Sequence, residues 1–142
     1  MIFTIVPYLS VGPLYFGDTV SAVIETLGEP IRRSRNARGE TDLQFGDCSV
    51  RFDAKDHILV EVGFSARASV RIGDIDVFTS QTALTDLITA EGCEPFEYAG
   101  FLIFPKLGIT LTGMHDGDQS QLALTAFAKG RWDHLRTRFE PT

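Results

Sequence analysis

Residues 16–30, FGDTVSAVIETLGEP, predict a short amphipathic helix with a defined start and end. Asp18 or Thr19 can cap it, because either side chain can accept a hydrogen bond from a free N–H of the first turn. The apolar residues that follow recur at helical spacing and form one stripe: Val20, Val23, Ile24 and Leu27. Gly28 suits the positive-φ residue after a helix, and the proline two positions later cannot continue one. We therefore predict a helix over 19–27.

A second segment repeats this pattern in the other half of the chain. Thr79 or Ser80 is a candidate cap, and Gly92 is a candidate end. The apolar stripe between them consists of Ala83, Leu84, Leu87 and Ile88. The pattern predicts a second helix near 80–90.

Alternation of apolar and polar residues predicts strands before, between and after these helices. The predicted strands cover residues 2–7, 41–45, 49–52, 58–64, 69–72, 97–98, 101–104, 109–112 and 122–128. The segment 32–38 carries four arginines and no apolar period, which favours a solvated loop over a local anion site.

The order of these elements predicts an α+β fold. We expect one domain over 1–142, with two pseudo-repeated halves at about 11–66 and 67–130 and a tail at 131–142. Each half is predicted to be a helix followed by an antiparallel meander, with both helices packed on one face of the sheet, because apolar helix and sheet faces can cover each other.

The stretch from Phe16-Gly17-Asp18-Thr19 to Leu27-Gly28-Glu29-Pro30 resembles the helical start of small outer-membrane-assembly lipoproteins of the BamE/SmpA type. It also resembles the tandem helix–sheet units of the β-lactamase inhibitory protein. The resemblance covers about 15 residues. The lipoproteins carry a lipidated cysteine after a signal, whereas the first cysteine here is Cys48, so membrane assembly is not implied. The inhibitor resemblance implies a fold that binds another protein across its sheet.

Composition excludes several classes of function. The formal net charge is −6, which disfavours nonspecific nucleic-acid binding. No apolar run approaches a membrane span, and residues 2–6 lack the basic flank of a secretory signal, so we expect a cytoplasmic protein. Cys48 and Cys93 form no metal-ligand or disulfide pattern, and we expect two free thiols.

No pattern in the sequence points to catalysis, a metal or a cofactor. Asp53-Ala54-Lys55-Asp56-His57 is interpreted as a hairpin turn, because aspartate bonds to nearby backbone N–H groups in turns. His115-Asp116-Gly117-Asp118 lacks the acidic spacing of a calcium loop and is also interpreted as a turn. We expect no catalytic residue, no metal ligand and no cofactor.

The favoured function is a non-enzymatic protein-binding module, for example an inhibitor or immunity-type protein. The alternatives are a small enzyme or ligand-binding protein with its site between sheet and helices, or a structural subunit of an assembly. Alternation places Arg51, Leu59, Glu61 and Phe127 on the sheet face opposite the core. We predict that these four residues form the contact surface for a partner or a second copy, since apolar patches with polar rims often mark interfaces. The C-terminal segment around Trp132 is an alternative cover for that face.

Overall fold

The computed structural model describes residues 2–113 and 122–131. The strands are β1 (Ile2–Val6), β2 (Ser10–Val11), β3 (Leu14–Tyr15), β4 (Arg32–Arg35), β5 (Thr41–Gln44), β6 (Cys48–Phe52), β7 (Leu59–Ser65), β8 (Ser69–Ile72), β9 (Ile75–Asp76), β10 (Phe96–Tyr98), β11 (Phe101–Phe104), β12 (Ile109–Thr112) and β13 (Ala123–Phe127). The helices are α1 (Val20–Leu27) and α2 (Ala83–Glu91). The tail beyond Arg131, with Trp132, lies outside the described residues.

The larger sheet has eight strands in the order β10-β11-β12-β13-β7-β6-β5-β4. All of its neighbouring strands are antiparallel. Two four-stranded meanders therefore meet edge to edge, where β7 pairs with β13. This places β7 near the centre of the sheet and makes β4 and β10 its edges.

The smaller sheet has five strands in the order β3-β2-β1-β8-β9. Its central pair, β1 and β8, is parallel, with Phe3 opposite Val70 and Ile5 opposite Ile72. Alternate residues of β1 are buried, so one face of this sheet points inward. A strand from the start of the chain is thus joined to one that follows the first meander.

Both sheets contribute to one hydrophobic core. The ring of Phe3 in the smaller sheet contacts that of Phe64 in the larger sheet, with centroids 4.9 Å apart. Val23 of α1 and Leu87 of α2 are fully buried in the same core. The larger sheet therefore has one face in the core and one face turned away from it. We call the second surface the open face.

The predicted α+β fold of two helix-plus-meander halves is wrong. Strands make up 43% of the described residues and helices only 14%, so the described part of the protein is mostly β. The smaller sheet takes strands from both predicted halves and includes a parallel pair, which excludes self-contained units with helices on one sheet face. The prediction failed because three strands of the smaller sheet, β2, β3 and β9, have only two residues each. They lie beside turns and are too short to show any alternation of apolar and polar residues.

The first helix is confirmed and the second is shifted. The side chain of Thr19 accepts a hydrogen bond from the Ala22 N–H at 3.2 Å, as an N-cap does. Gly28 has φ 92°, the predicted positive value. The helix predicted near 80–90 begins at Ala83, and Thr82 at its N-cap makes no side-chain capping bond.

The arginine-rich segment was wrongly predicted to be a loop. Its residues Arg32–Arg35 form strand β4, and all four are exposed. No apolar period could reveal this strand, because neither of its sides is buried.

Both cysteines are free thiols, with Cys48 buried and Cys93 exposed. Burial, with a contribution from Asp47, raises the pKa of the Cys48 thiol to about 11. Among the described residues, no helix combines the length and the apolar character needed to cross a membrane.

Candidate functional site

Arg51 and Glu61 lie where the sequence predicted, opposite each other on the open face. They belong to β6 and β7, and both are half-buried. The Arg51 guanidinium donates to Asp42 on β5 at 2.7 Å and to Glu61 at 3.4 Å. One arginine thus bridges carboxylates from the strands on either side of its own.

Leu59 was wrongly predicted to lie on the open face. It is 1% exposed and belongs to the core, where it pairs with Phe52. A register shift after Arg51 inserts one extra residue into β7, so that Arg51 pairs with Glu61 and Phe52 with Leu59. Such a β-bulge reverses which side chains point inward, and regular alternation therefore failed at this end of the strand.

Phe127 lies opposite Glu61 and outside the core cluster, but it is not available to a partner as predicted. It is only 3% exposed. The ring of Tyr8 packs edge-on against it, with centroids 5.8 Å apart. The N-terminal segment thus helps to cover this position from within the chain.

A second arginine, Arg131, extends the charged network beyond β13. It donates to Glu61 at 2.8 Å and to Glu40 at 2.5 Å. The other oxygen of Glu40 accepts from the Asn36 side-chain amide at 2.9 Å. The network of Glu40, Asp42, Arg51, Glu61 and Arg131 therefore alternates in charge across the sheet and carries a formal net charge of −1.

Hydrogen bonds within this network shift the pKa of Glu40, Arg51 and Arg131. The bond from Arg131, together with Asn36 and nearby positive charge, outweighs burial and lowers the pKa of Glu40 to about 2. Burial lowers the pKa of Arg131, but its bonds to Glu40 and Glu61 outweigh this effect and raise it overall. The bond to Asp42 likewise raises the pKa of Arg51. All of these shifts stabilise the charged forms.

Beside this network, Gly63 leaves a shallow groove in the centre of the open face. It lies between Ser49 on β6 and Thr125 on β13 in the strand register. An ideal Cβ at Gly63 would lie 3.1 Å from the Ser49 Oγ and 3.6 Å from the Thr125 Oγ1. Two hydroxyl groups therefore flank a position that has no side chain.

Two surface depressions meet at this groove, and both are open to solvent. One of about 100 Å³ reaches the charged network at Asp42, Arg51 and Glu61. The other, of about 310 Å³, runs past Gly63 toward Ser65. The structure gives no hydrogen bond between either of the hydroxyls, on Ser49 and Thr125, and another described residue.

Histidine and acidic side chains were the candidates for a metal site in the part of the chain that the structure describes. No group of three histidine, cysteine, aspartate or glutamate side chains there could hold a metal ion. His57 lies exposed in a turn whose shape is set by Asp53, because the Asp53 Oδ1 accepts from the N–H groups of Asp56 and Ile58. The predicted turn at His115-Asp116-Gly117-Asp118 lies outside the described residues.

No protein-family model, curated protein or solved structure matches this chain. Only the geometry of the candidate site therefore indicates its role. We did not predict Ser49 and Gly63 as site residues. Gly63 could have indicated the site from the sequence alone, since a lone glycine inside a strand often marks a close approach of another group.

Proposed function

We propose that this chain is a non-enzymatic protein-binding module that binds its partner on the open face around Ser49, Gly63 and Thr125. The observation that carries this proposal is the groove at Gly63, where two hydroxyl groups lie beside the Arg51–Glu61 pair. The groove can admit a partner's main chain or a small side chain. The hydroxyls and the charged rim can then hydrogen-bond to it.

The shape of the surface favours a protein over a small molecule. Small ligands are usually held in clefts of about 300–1,000 Å³ that enclose most of their surface. The larger depression, at about 310 Å³, only just reaches that volume and the smaller one is about 100 Å³, and both are open to solvent and so would not enclose a small ligand. A protein partner instead gains its affinity from a wide contact, about 800 Å² on each side in a typical complex.

A site between sheet and helices has less support. The apolar side chains Val23, Phe52 and Leu87 occupy this region, and none of them is exposed to solvent. A catalytic pocket there would need polar groups, which are costly to bury without partners. The groove on the open face is the better candidate.

We further propose a cytoplasmic location. Cys93 is an exposed free thiol, which is typical of reducing compartments. The net charge of −6 and the small polar groove are compatible with an inhibitor or immunity-type protein that covers a basic surface of its target.

Affinity capture with two matched variants tests this function. Ser49→Arg places a long side chain beside the groove, whereas Ser69→Arg makes the same change at an exposed strand position in the smaller sheet. We expect the wild type and Ser69→Arg to retain the same protein from cells of the source organism, and Ser49→Arg to lose it. Thermal unfolding establishes that both variants fold. Equal capture by Ser49→Arg, or no specific capture by the wild type, would contradict the proposal.

A further inference from the structure

Strand β4 ends the larger sheet with an open edge. Within the described residues it pairs only with β5, and all four of its residues are exposed. Exposed sheet edges present unpaired N–H and C=O groups that can accept another strand. The edge of β4 can therefore accept an extended segment of a partner.

The register identifies which peptide groups face outward. The Asn36 N–H donates to the Glu40 carbonyl at 3.0 Å just beyond the strand. Hydrogen-bonded and non-hydrogen-bonded pairs alternate in an antiparallel ladder, so the main chain of Ser34 faces β5. The N–H and C=O groups of Arg33 and Arg35 then point away from β5 toward an incoming strand.

The side chains at this edge are strongly basic. Arg32 lies on one side of the strand, and Arg33 and Arg35 lie on the other. No carboxylate in the described part of the chain pairs with these three arginines. The nearby acids have other partners, since Asp42 pairs with Arg51 and Glu40 with Arg131.

This charge pattern selects among the possible occupants. Pairing of two β4 strands would bring arginines close to arginines, which disfavours a second copy of the chain. A nucleic acid cannot use the outward N–H and C=O groups as a strand does, and the chain is acidic overall. An acidic extended peptide satisfies both the main-chain groups and the arginines.

We propose that β4 accepts an extended acidic segment of a partner protein as a ninth strand of the larger sheet. This inference uses the edge of the sheet and does not depend on the groove at Gly63. A partner that reaches both sites would extend along one continuous sheet.

The direct test uses a synthetic peptide of alternating threonine and glutamate, about eight residues long, and its threonine–lysine analogue. Fluorescence anisotropy should detect binding of the acidic peptide and not of the basic one. Arg33→Glu with Arg35→Glu should weaken that binding by about tenfold or more, because two attractions become repulsions. The control Lys55→Glu with Arg67→Glu changes the net charge equally in exposed turns and should leave binding unchanged.

A second pair of variants separates main-chain pairing from charge attraction. Arg33→Ala and Arg33→Pro remove the same charge, but only proline removes the outward N–H while sparing the bonds to β5. We expect Arg33→Pro to bind the acidic peptide several-fold more weakly than Arg33→Ala does. Equal binding by these two variants would overturn the ninth-strand geometry.

Binding that is insensitive to Arg33→Glu with Arg35→Glu, or absent in the wild type, would overturn the site. Ser49→Arg should leave peptide binding unchanged, so failure here is distinguishable from failure of the open-face proposal.

Discussion

The aromatic ring of Tyr8 lies directly against the backbone of Gly108. An ideal Cβ at Gly108 would lie 3.3 Å from two ring atoms of Tyr8, and Gly108 itself has φ 68°. The Tyr8 hydroxyl donates to the Pro105 carbonyl, and its ring contacts Phe127. This side chain connects the turn after β1 to the turn between β11 and β12, and so joins the smaller sheet to the larger one.

Gly108→Ala should therefore destabilise the protein by about 2 kcal/mol, from backbone strain and from contact with the Tyr8 ring. In a Tyr8→Ala background the ring is absent, and the same change should cost only about 1 kcal/mol. Urea unfolding of the four proteins in this double-mutant cycle measures the difference. An identical cost in both backgrounds would show that Tyr8 does not restrict Gly108.

Gly28→Ala isolates a backbone effect. Gly28 combines φ 92° with ψ −171°, which L side chains rarely adopt, and its Cβ would meet no atom within 4 Å. The substitution should cost about 1–3 kcal/mol of unfolding free energy. Gly46→Ala is the matched control, because Gly46 lacks positive φ and is equally free of neighbours. Equal stabilities of the two variants would contradict the assignment.

Glu91 anchors α2 to the β11–β12 turn through its buried carboxylate. It accepts from the backbone N–H groups of Lys106 and Leu107, at 2.9–3.0 Å, and is 1% exposed. Glu91→Ala leaves both N–H groups unpaired and should cost about 2–4 kcal/mol, whereas Glu91→Gln retains one acceptor oxygen and should cost less. The exposed Glu94 supplies the control through Glu94→Ala, which should change the melting temperature little.

Glu40 should make stability depend on pH in the acid range. Its pKa is about 2 in the folded protein against a usual 4.5, mainly because of the bond from Arg131. The carboxylate therefore stabilises the fold fully above about pH 4.5, and this contribution is lost as the pH falls toward 2. The difference in unfolding free energy between wild type and Glu40→Gln should be on the order of 2 kcal/mol near pH 6 and shrink toward pH 2.

The exposed Asp74 provides the control for that profile, since Asp74→Asn removes one negative charge outside the network. Chemical denaturation at closely spaced pH values measures all three proteins. A constant difference between wild type and Glu40→Gln from pH 6 to pH 2 would rule out the Arg131–Glu40 bond as the cause.

The sequence predicted those elements whose residues alternate or recur regularly. α1 was predicted correctly because a cap, an apolar stripe and a glycine stop all coincide at Thr19–Gly28. Strand β6 was also predicted correctly, since Val50 and Phe52 are buried and Arg51 between them is not. Local patterns were sufficient there because each one is set by neighbours in the chain.

One error arose where distant parts of the chain decide the structure, and others arose where a strand is too short, too exposed or bulged to keep a regular pattern. The parallel pairing of β1 with β8 joins residues far apart in sequence, and no local pattern specifies it. The bulge beside Leu59 reverses the face on which that side chain lies, so one of the four predicted contact residues moved into the core. Arg51 and Glu61 kept their predicted face because they lie on the regular side of the bulge.

The binding of a purified partner to the open face tests the central proposal most directly. Isothermal titration of the partner identified by capture should give a dissociation constant that rises by about tenfold or more for Ser49→Arg and changes by less than about twofold for Ser69→Arg. Ser49→Arg binding as tightly as the wild type, or both variants losing affinity equally, would show that the partner does not contact the groove at Gly63.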